Sequence, residues 1–366
     1  MKQLTCGFIG LGLIGGSLAK ALRHILPEAS ILAYDTNSTS LRQALEDGVV
    51  SHITDAVDET FSSCDFIFLC APVSGNDENL VLLKKYLSPS CILTDVGSVK
   101  SDIHRHIDSL GLSAQFIGGH PMAGSERTGY LNSKARLLEN AYYILTPSSA
   151  VPAEKVENYK KLVSAMGAIP LVLDADRHDY VTAAVSHLPH IIAASLVNLV
   201  HDSDSPDGIM KMIAAGGFKD ITRIASSSPD MWQQICMTNT DHILSLLEAY
   251  IRSLTNIKEK LLNRNDKELY SLFQDARSYR DSFIDASSGP IKKSCSVTVD
   301  IADETGALAS IATILALNQI SIKNIGIVHN REYEEGVLRI EFYEDAALKT
   351  ACTILTGRGY IIHEKK

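Results

Sequence analysis

Apolar residues along this chain follow three successive rhythms. In the first, short unbroken apolar runs alternate with stretches of helical spacing. Cys6-Gly-Phe-Ile9, Ile31-Leu-Ala-Tyr34, Phe66-Ile-Phe-Leu-Cys-Ala-Pro-Val73, Ile92-Leu-Thr-Asp95, Phe116-Ile-Gly-Gly119, Tyr142-Tyr-Ile-Leu-Thr146 and Ile169-Pro-Leu-Val-Leu173 read as strands. A strand buried on both faces is apolar at nearly every position rather than every second one. Helices are predicted between them over about 13–26, 40–47 and 79–86, and from 101 onward. Such alternation builds a mostly parallel, doubly wound sheet.

Near Asp176 the rhythm changes. Residues 179–200, 208–226, 231–263 and 266–286 read as helices with no strand-like alternation. Ile243, Leu246, Leu247, Tyr250, Ile251, Leu254 and Ile257 share one broad helical face, which suits either a subunit interface or an intrachain core. Asp285-Ala-Ser-Ser-Gly-Pro-Ile-Lys-Lys293 reads as a linker. The third rhythm follows: a strand at 295–301, a helix at 307–317, strands at 320–328 and 336–342, a helix at 346–356 and a strand at 360–363. The predicted fold is an α/β Rossmann-type dinucleotide-binding domain (1–174), an all-α helical domain (175–286), a linker (287–293) and a ferredoxin-like βαββαβ domain (294–366).

The first strand runs into Gly10-Leu-Gly-Leu-Ile-Gly15, a G-x-G-x-x-G fingerprint. The first glycine allows the tight turn, the second lets backbone approach a pyrophosphate, and the third lets helix pack on strand. The helix N-terminus, with Leu13 and Ile14 in its first turn, presents N–H groups to the phosphates. Asp35 stands 20 positions beyond Gly15, at the end of the second strand. A carboxylate there accepts ribose hydroxyls and repels a 2′-phosphate. Thr36, Asn37 and Ser38 follow it in place of an arginine, so NAD is expected over NADP.

Composition narrows the class. The 366 residues are 45 % hydrophobic and 21 % charged, with a formal net charge of −9. That balance argues against a general nucleic-acid binder and against docking on an anionic membrane. No apolar run is expected to reach the ~20 residues of a membrane span. Met1-Lys-Gln-Leu leads straight into the first strand, which reads as no signal peptide. Seven scattered cysteines without a C-x-x-C pair fit a cytoplasmic protein with reduced thiols. Cys70, close to the expected cofactor, reads as a small buried filler.

Candidate chemistry gathers at strand ends. His120, in Gly118-Gly-His-Pro-Met-Ala-Gly124, is expected at the C-terminal end of a strand, where Pro121 and the flanking glycines make a rigid, exposed loop at the ligand edge of the sheet and an imidazole can act as a general base. In Asp95-Val-Gly-Ser-Val-Lys100, Ser98 could orient a histidine and Lys100 could meet an anion. His187 and His190 lie at i, i+3 on one helix face. With no third ligand at a fitting spacing, they are read as polar substrate contacts or core histidines, and no metal is expected. Arg223 sits in an apolar stretch near Asp220, placed either to grip a carboxylate or to pair internally.

Taken together, Gly10–Leu18, Cys70-Ala-Pro-Val73, Asp95–Lys100, Gly118-Gly-His-Pro-Met-Ala-Gly-Ser-Glu126, Ser186-His-Leu-Pro-His190 and Gly216-Gly-Phe-Lys-Asp-Ile-Thr-Arg223 resemble the prephenate dehydrogenase family. The resemblance implies NAD-dependent oxidative decarboxylation of prephenate to 4-hydroxyphenylpyruvate, in tyrosine biosynthesis. His120 would accept the proton of the ring hydroxyl and Ser98 would hold His120. Arg223 would bind a substrate carboxylate, His187 and His190 would line the pocket, Glu126 and Asp220 would stand at its entrance or in pairing, and Lys100 would be a further cationic substrate contact. Ala71 and Pro72 would join Gly10, Gly12, Leu13, Ile14, Gly15 and Asp35 around the cofactor. The helical domain of the family usually forms a homodimer. The tail resembles an ACT domain, with Asp303, Gly306 and Leu308 in the loop where an amino-acid effector such as tyrosine would dock. Competing readings are arogenate dehydrogenase, a β-hydroxyacid dehydrogenase, and an inactive amino-acid sensor. The second generally uses a lysine in its helical part, where this chain has paired histidines and Arg223.

Overall fold

The computed structural model describes residues 3–124, 127–286, 295–301, 306–328 and 336–364. The expected linker at 287–293, Glu126 and Asp303 lie outside the described residues. The chain divides into two compact units, Met1–Thr255 and Asn256–Lys366.

In the first unit, β1 (Thr5–Ile9), β2 (Ser30–Tyr34), β3 (His52–Thr54), β4 (Phe66–Leu69) and β5 (Ile92–Asp95) form a parallel sheet ordered β3-β2-β1-β4-β5. The order reverses between β1 and β4, which makes a crevice at their C-terminal ends. β6 (Ile117–Pro121), β7 (Tyr142–Pro147) and β8 (Ile169–Val172) form a second sheet, with β7 antiparallel to β6 and parallel to β8. A single parallel bridge, Leu93 to Phe116, ties β6 to β5. The C-terminal ends of β5 and β6 therefore emerge at the same edge.

Aromatic side chains join the layers. Phe8 and Phe68 face each other across β1 and β4 and stack with centroids 4.8 Å apart. Tyr159, from the helix Ala153–Ala165, packs on Phe66 and Phe68. Its hydroxyl lies 2.8 Å from that of Tyr143 and accepts from Thr94. A buried phenol needs such partners to keep the roughly 1.5–3 kcal/mol its ring burial contributes. The pattern of the sequence missed this helix, which buries only Tyr159 and Val163, and missed the short exposed edge strand β3.

The helical part opens with Ala175–Thr182, passes through a single π turn, Ala183–His187, and continues as Leu188–Ser203. This helix, Ala175–Ser203, is long and apolar enough, by length and composition alone, to cross a membrane. An 18-residue window of it averages a hydropathy of 1.5, while its histidines, serines and Asn198 leave no unbroken apolar run of that length. The expected helix over 208–226 is three pieces, Ile209–Ile213, Gly216–Thr222 and a 3₁₀ turn Arg223–Ser226. The expected helix over 231–263 breaks at Asn239 into Pro229–Thr238 and Thr240–Leu262.

In the second unit, the helix Asp266–Ala286 precedes β9 (Cys295–Ile301), β10 (Ile322–Val328), β11 (Gly336–Phe342) and β12 (Ile362–Glu364). These four strands are antiparallel in the order β10-β11-β9-β12. With the helices Ala307–Leu317 and Asp345–Gly357 they complete β-α-β-β-α-β. Cys295, Val297, Val299 and Ile301 alternate inward and pack with Ile311, Leu315 and Leu355. Gly306 starts the first of these helices at φ +96°, a left-handed conformation that side chains resist.

Candidate active site

The crevice after β1 is shaped by missing side chains. Gly10 adopts φ +100°, and a Cβ there would lie 2.6 Å from the Cys70 carbonyl carbon. A Cβ on Gly15 would collide with the Gly10 carbonyl oxygen. Both glycines thus let β1, the helix Leu13–Ile25 and the Cys70-Ala71 turn converge. Gly12 differs: a Cβ there would meet no atom within 4 Å. The helix behind it has no side-chain cap and no acidic residue in its first turn. Unsatisfied N–H groups below an open space are the makings of an anion site. Leu13 and Ile14 are half-buried in that turn.

Asp35 closes the other end of the crevice. One carboxylate oxygen accepts the Leu11 N–H at 2.6 Å and the other the Asn37 N–H at 2.7 Å. Backbone holds the carboxylate while lone pairs remain for ribose hydroxyls. Ala71 and Pro72 follow β4, and the Asn76 side-chain amide donates to the Ala71 carbonyl at 2.9 Å. Space at Gly12, donors below it and an acid 20 residues beyond Gly15 fit a dinucleotide.

His120 lies in β6 itself, paired with Ile144 of β7 and half-buried. It stands at the C-terminal end of the strand, as expected, but pairing continues through Pro121, which is in register with Tyr143, so His120 is half-buried and not on an exposed loop. His120 Nδ1 is 2.8 Å from His178 Nε2, and His178 Nδ1 is 2.8 Å from Asp179 Oδ1. Asp179 also accepts the Lys100 and Ser101 N–H groups, each at 2.7 Å. His178 and Asp179 are buried. Burial alone would raise the Asp179 carboxyl, but hydrogen bonds from His178, Ser101 and the Lys100 amide outweigh it and hold it at about 2. Burial pushes His120 well below the ordinary histidine value, and His178, Lys100 and His187 push the same way. His120 is therefore neutral at pH 7. No partner meets its Nε2 among the described residues.

Two expectations are corrected here. Ser98 makes no hydrogen bond to His120; the ring bond present, at His120 Nδ1, is to His178. Lys100 is fully buried instead of waiting for substrate. Its ammonium pairs with Asp95 and donates to the Gly119 carbonyl at 2.8 Å. Asp95 accepts the Gly97 and Gly119 N–H groups as well. A buried cation needs such a partner, and this pair clamps the end of β5 to the strand that carries His120.

His187 and His190 do share a neighbourhood. His187 is buried, and its Nδ1 accepts from Asn239 Nδ2 at 3.2 Å. The same Asn239 amide nitrogen donates to the Asp179 carbonyl at 2.8 Å. Burial lowers His187 to about 4. His190 donates Nδ1–H to the Ser186 carbonyl at 2.9 Å and stacks on Trp232 with centroids 3.7 Å apart. The Trp232 indole nitrogen is buried without a partner among the described residues. Burial also lowers His190, and the nearby positive charge of Arg223 adds to this. Arg223 itself is exposed.

A family model described as the prephenate dehydrogenase nucleotide-binding domain matches residues 18–171, and one described as its dimerization domain matches residues 174–275. The chain belongs to the prephenate dehydrogenase family. It is 38 % identical to a prephenate dehydrogenase of Bacillus subtilis, over 98 % of each chain. The crystal structure of prephenate dehydrogenase from A. aeolicus with hydroxyphenyl propionate and NAD+ is 32 % identical, with a TM-score of 0.73, over 77 % of this chain and 99 % of that one. Synechocystis arogenate dehydrogenase is 28 % identical, with a TM-score of 0.70, over 76 % of this chain and 100 % of that one.

Within this prephenate dehydrogenase fold, sequence reasoning missed His178, Asp179, Trp232 and Asn239. Asp176-Arg-His-Asp179 reads as an ordinary charged helix start, and nothing in it marks burial. Asn239 carried a signal: Thr238-Asn-Thr-Asp241 is a run of helix-capping residues inside an otherwise helical pattern. A separate, mainly apolar cavity of about 580 Å³ is lined by Leu4, Phe66, Ile92 and Leu162. It lies at the N-terminal ends of β1, β4 and β5, the edge opposite the crevice.

Proposed function

We propose that the chain catalyses the NAD-dependent oxidative decarboxylation of prephenate to 4-hydroxyphenylpyruvate in tyrosine biosynthesis. The observation that carries this reading is a neutral His120 at the cofactor edge of the sheet, hydrogen-bonded through Nδ1, with Nε2 unengaged among the described residues. Gly10, Gly12, Gly15, Leu13, Ile14, Asp35, Ala71 and Pro72 hold the cofactor. When bound, the nicotinamide accepts a hydride from the carbon that bears the ring hydroxyl. His120 takes the hydroxyl proton at Nε2, which favours a carbonyl at that carbon. Loss of the ring carboxylate as CO2 then leaves the bonding electron pair in the ring as an aromatic phenolate, which takes the proton back from His120 to give the phenol.

Arg223 holds a substrate carboxylate, a role supported by its charge beside His190. His187, His190 and Trp232 line the pocket, and the unpartnered indole N–H is a further donor for an anionic group. The deciding assay follows NADH absorbance with prephenate and arogenate offered in turn. Prephenate should support turnover; turnover with arogenate alone would replace this reading with arogenate dehydrogenase, which the likeness to the Synechocystis enzyme keeps in view.

The remaining assignments belong to the same proposal. The domains are 1–174, 175–286 and 294–366. Exposed Leu244, Ile251 and Leu254 on the helix Thr240–Leu262, with Leu199 and Ile221, support a homodimer. All seven cysteines are free, which suits the cytoplasm. The C-terminal unit acts as an ACT domain that takes tyrosine at Asp303, Gly306 and Leu308, supported by its strand order, the left-handed Gly306 and a partly exposed Leu308. Tyrosine inhibition that survives removal of the chain from Ser294 onward would exclude that unit as the only effector site.

A further inference from the structure

We propose that His178 and Asp179 are positioning residues, an Asp–His–His chain that keeps the proton of His120 on Nδ1 and leaves Nε2 as the atom that takes the substrate proton. The proposal rests on the reading of His120 as the base. Its logic is the direction of each hydrogen bond. An ionised Asp179 can only accept, and its oxygens already accept from the Lys100 and Ser101 amides. The contact with His178 Nδ1 therefore uses a hydrogen on that nitrogen. A neutral imidazole carries one N–H, so His178 Nε2 is an acceptor. The only hydrogen left for the 2.8 Å contact between the rings is the one on His120 Nδ1. Neutral His120 then has a bare Nε2. A half-turn of the His178 ring would set carbon atoms against both Asp179 and His120 and lose both bonds.

The chain is also held in place along its length. Asp179 is fixed at the N-terminus of the helix Ser101–Ser109, where a carboxylate is favoured. Its backbone carbonyl is held by Asn239. His120 is fixed by strand pairing and, through Gly119, by the Asp95–Lys100 pair. The charged and titratable groups bearing on His120 are His178, Lys100, His187 and Asp179. Lys100 is compensated by Asp95, which leaves Asp179 as the anion at the far end of the histidine chain when His120 becomes an imidazolium.

The test compares His120→Asn, Asp179→Asn, His178→Gln and His178→Leu in the full chain. An asparagine at 179 cannot accept on both sides as the carboxylate does: its amide nitrogen opposes either the Ser101 N–H or the Lys100 N–H, and in the second orientation it donates to His178 Nδ1, reverses the polarity of the chain and leaves His120 protonated on Nε2. The expected result is a kcat for Asp179→Asn lower by about 10²–10⁴-fold, with KM for prephenate and Kd for NAD changed less than threefold. His178→Gln, whose amide oxygen can accept from His120 Nδ1, should retain at least tenfold more kcat than His178→Leu. Nitrogen-15 spectra of histidine-labelled protein, with His120 assigned from His120→Asn, should show the Nδ1–H form in the parent and the Nε2–H form in Asp179→Asn. If His120→Asn collapses turnover while Asp179→Asn stays within threefold, the chain is overturned and the base reading stands. If His120→Asn keeps near-normal turnover, the base reading itself fails. Should Asp179→Asn not fold, the parent spectrum decides: an Nε2–H His120 in the resting protein overturns the proposal.

Discussion

The cofactor crevice occupies a short stretch of sequence, Gly10 to Asp35, and depends on what glycine lacks. The histidine chain draws on Asp95, Lys100, His120, His178, Asp179 and Asn239, and depends on what each side chain donates or accepts. In the crevice, backbone makes the contacts: Gly10 N–H to Tyr34 carbonyl at 2.7 Å, Leu11 N–H to Asp35. Beside it, side chains reach far along the sequence: His178 to His120 across 58 positions, and Asp179 to the Lys100 amide across 79. Backbone geometry tolerates many side chains around it. A hydrogen-bond chain tolerates few, because one wrong donor reverses all the bonds downstream. Substitutions should therefore separate the two regions by the quantity they change.

The largest effect is expected at the proposed base. His120→Asn should lower kcat by ~10²–10⁴ and leave NAD affinity as it was, measured by steady-state kinetics and calorimetric titration. Near-normal turnover would remove the functional contrast between the two regions. Arg223→Ala comes next. It should raise KM for prephenate by about 2 kcal/mol, roughly 30-fold, the lower end for an unpaired carboxylate because the guanidinium is exposed in the free chain. An unchanged KM would take Arg223 out of the pocket.

Gly12→Ala sharpens the comparison from the cofactor side. The added methyl meets nothing in the chain, so Tm should be unchanged, yet it fills the space a pyrophosphate needs. Kd for NAD should weaken by about 1–3 kcal/mol, with kcat at saturating NAD little affected. A fall in Tm comparable to that of Gly15→Ala, which collides with the Gly10 carbonyl, would erase the distinction between an open and a packed glycine.

The smallest effect is on pH dependence. Burial holds His187 at about 4 in the folded chain, against about 6.5 when unfolded. Between those values the unfolded chain binds the extra proton, so this group makes stability fall as pH falls from about 6.5 to 4. His187→Gln should flatten that slope by at most one proton, read from urea midpoints across the range. The depressed His120 likewise keeps its neutral form at lower pH, so the acid limb of kcat/KM should lie below 6.5.

How legible each region was in the sequence follows from the same contrast. Gly10, Gly12, Gly15 and Asp35 are contiguous determinants with fixed spacing, and so are the alternating runs that form β1, β2, β4 and β5. His120 was recognisable as a candidate base from its place at the end of an apolar run, although its exposure was misjudged because the β7 residues that pair with its strand lie 22 to 30 positions away. Lys100 was misread because a lysine's letter carries no record of burial; only the fold brings Asp95 and Gly119 around its ammonium. Ser98 was assigned the partner of His120 because it was the nearest polar side chain by motif, while His178 was hidden 58 positions away at a helix start. In the second unit, Val297 and Val299 alternate with Ser296, Thr298 and Asp300, so half-buried strands announced themselves.

The π turn at Ala183–His187 has a consequence for rotation about the helix axis. It lies between the residues that anchor the base, His178 and Asp179, and His190, which stacks on Trp232. Each residue turns an α-helix by about 100°, and a π turn holds one residue more than the α turn it replaces. The two ends of Ala175–Ser203 are thus set out of phase by a single inserted position. Removing one residue from that turn would restore an unbroken α-helix with both ends aimed as they are, whereas winding the turn into α with every residue kept would swing His190 about a quarter-turn around the axis, leaving the proton-handling end of the helix aimed correctly and the pocket-lining end facing elsewhere.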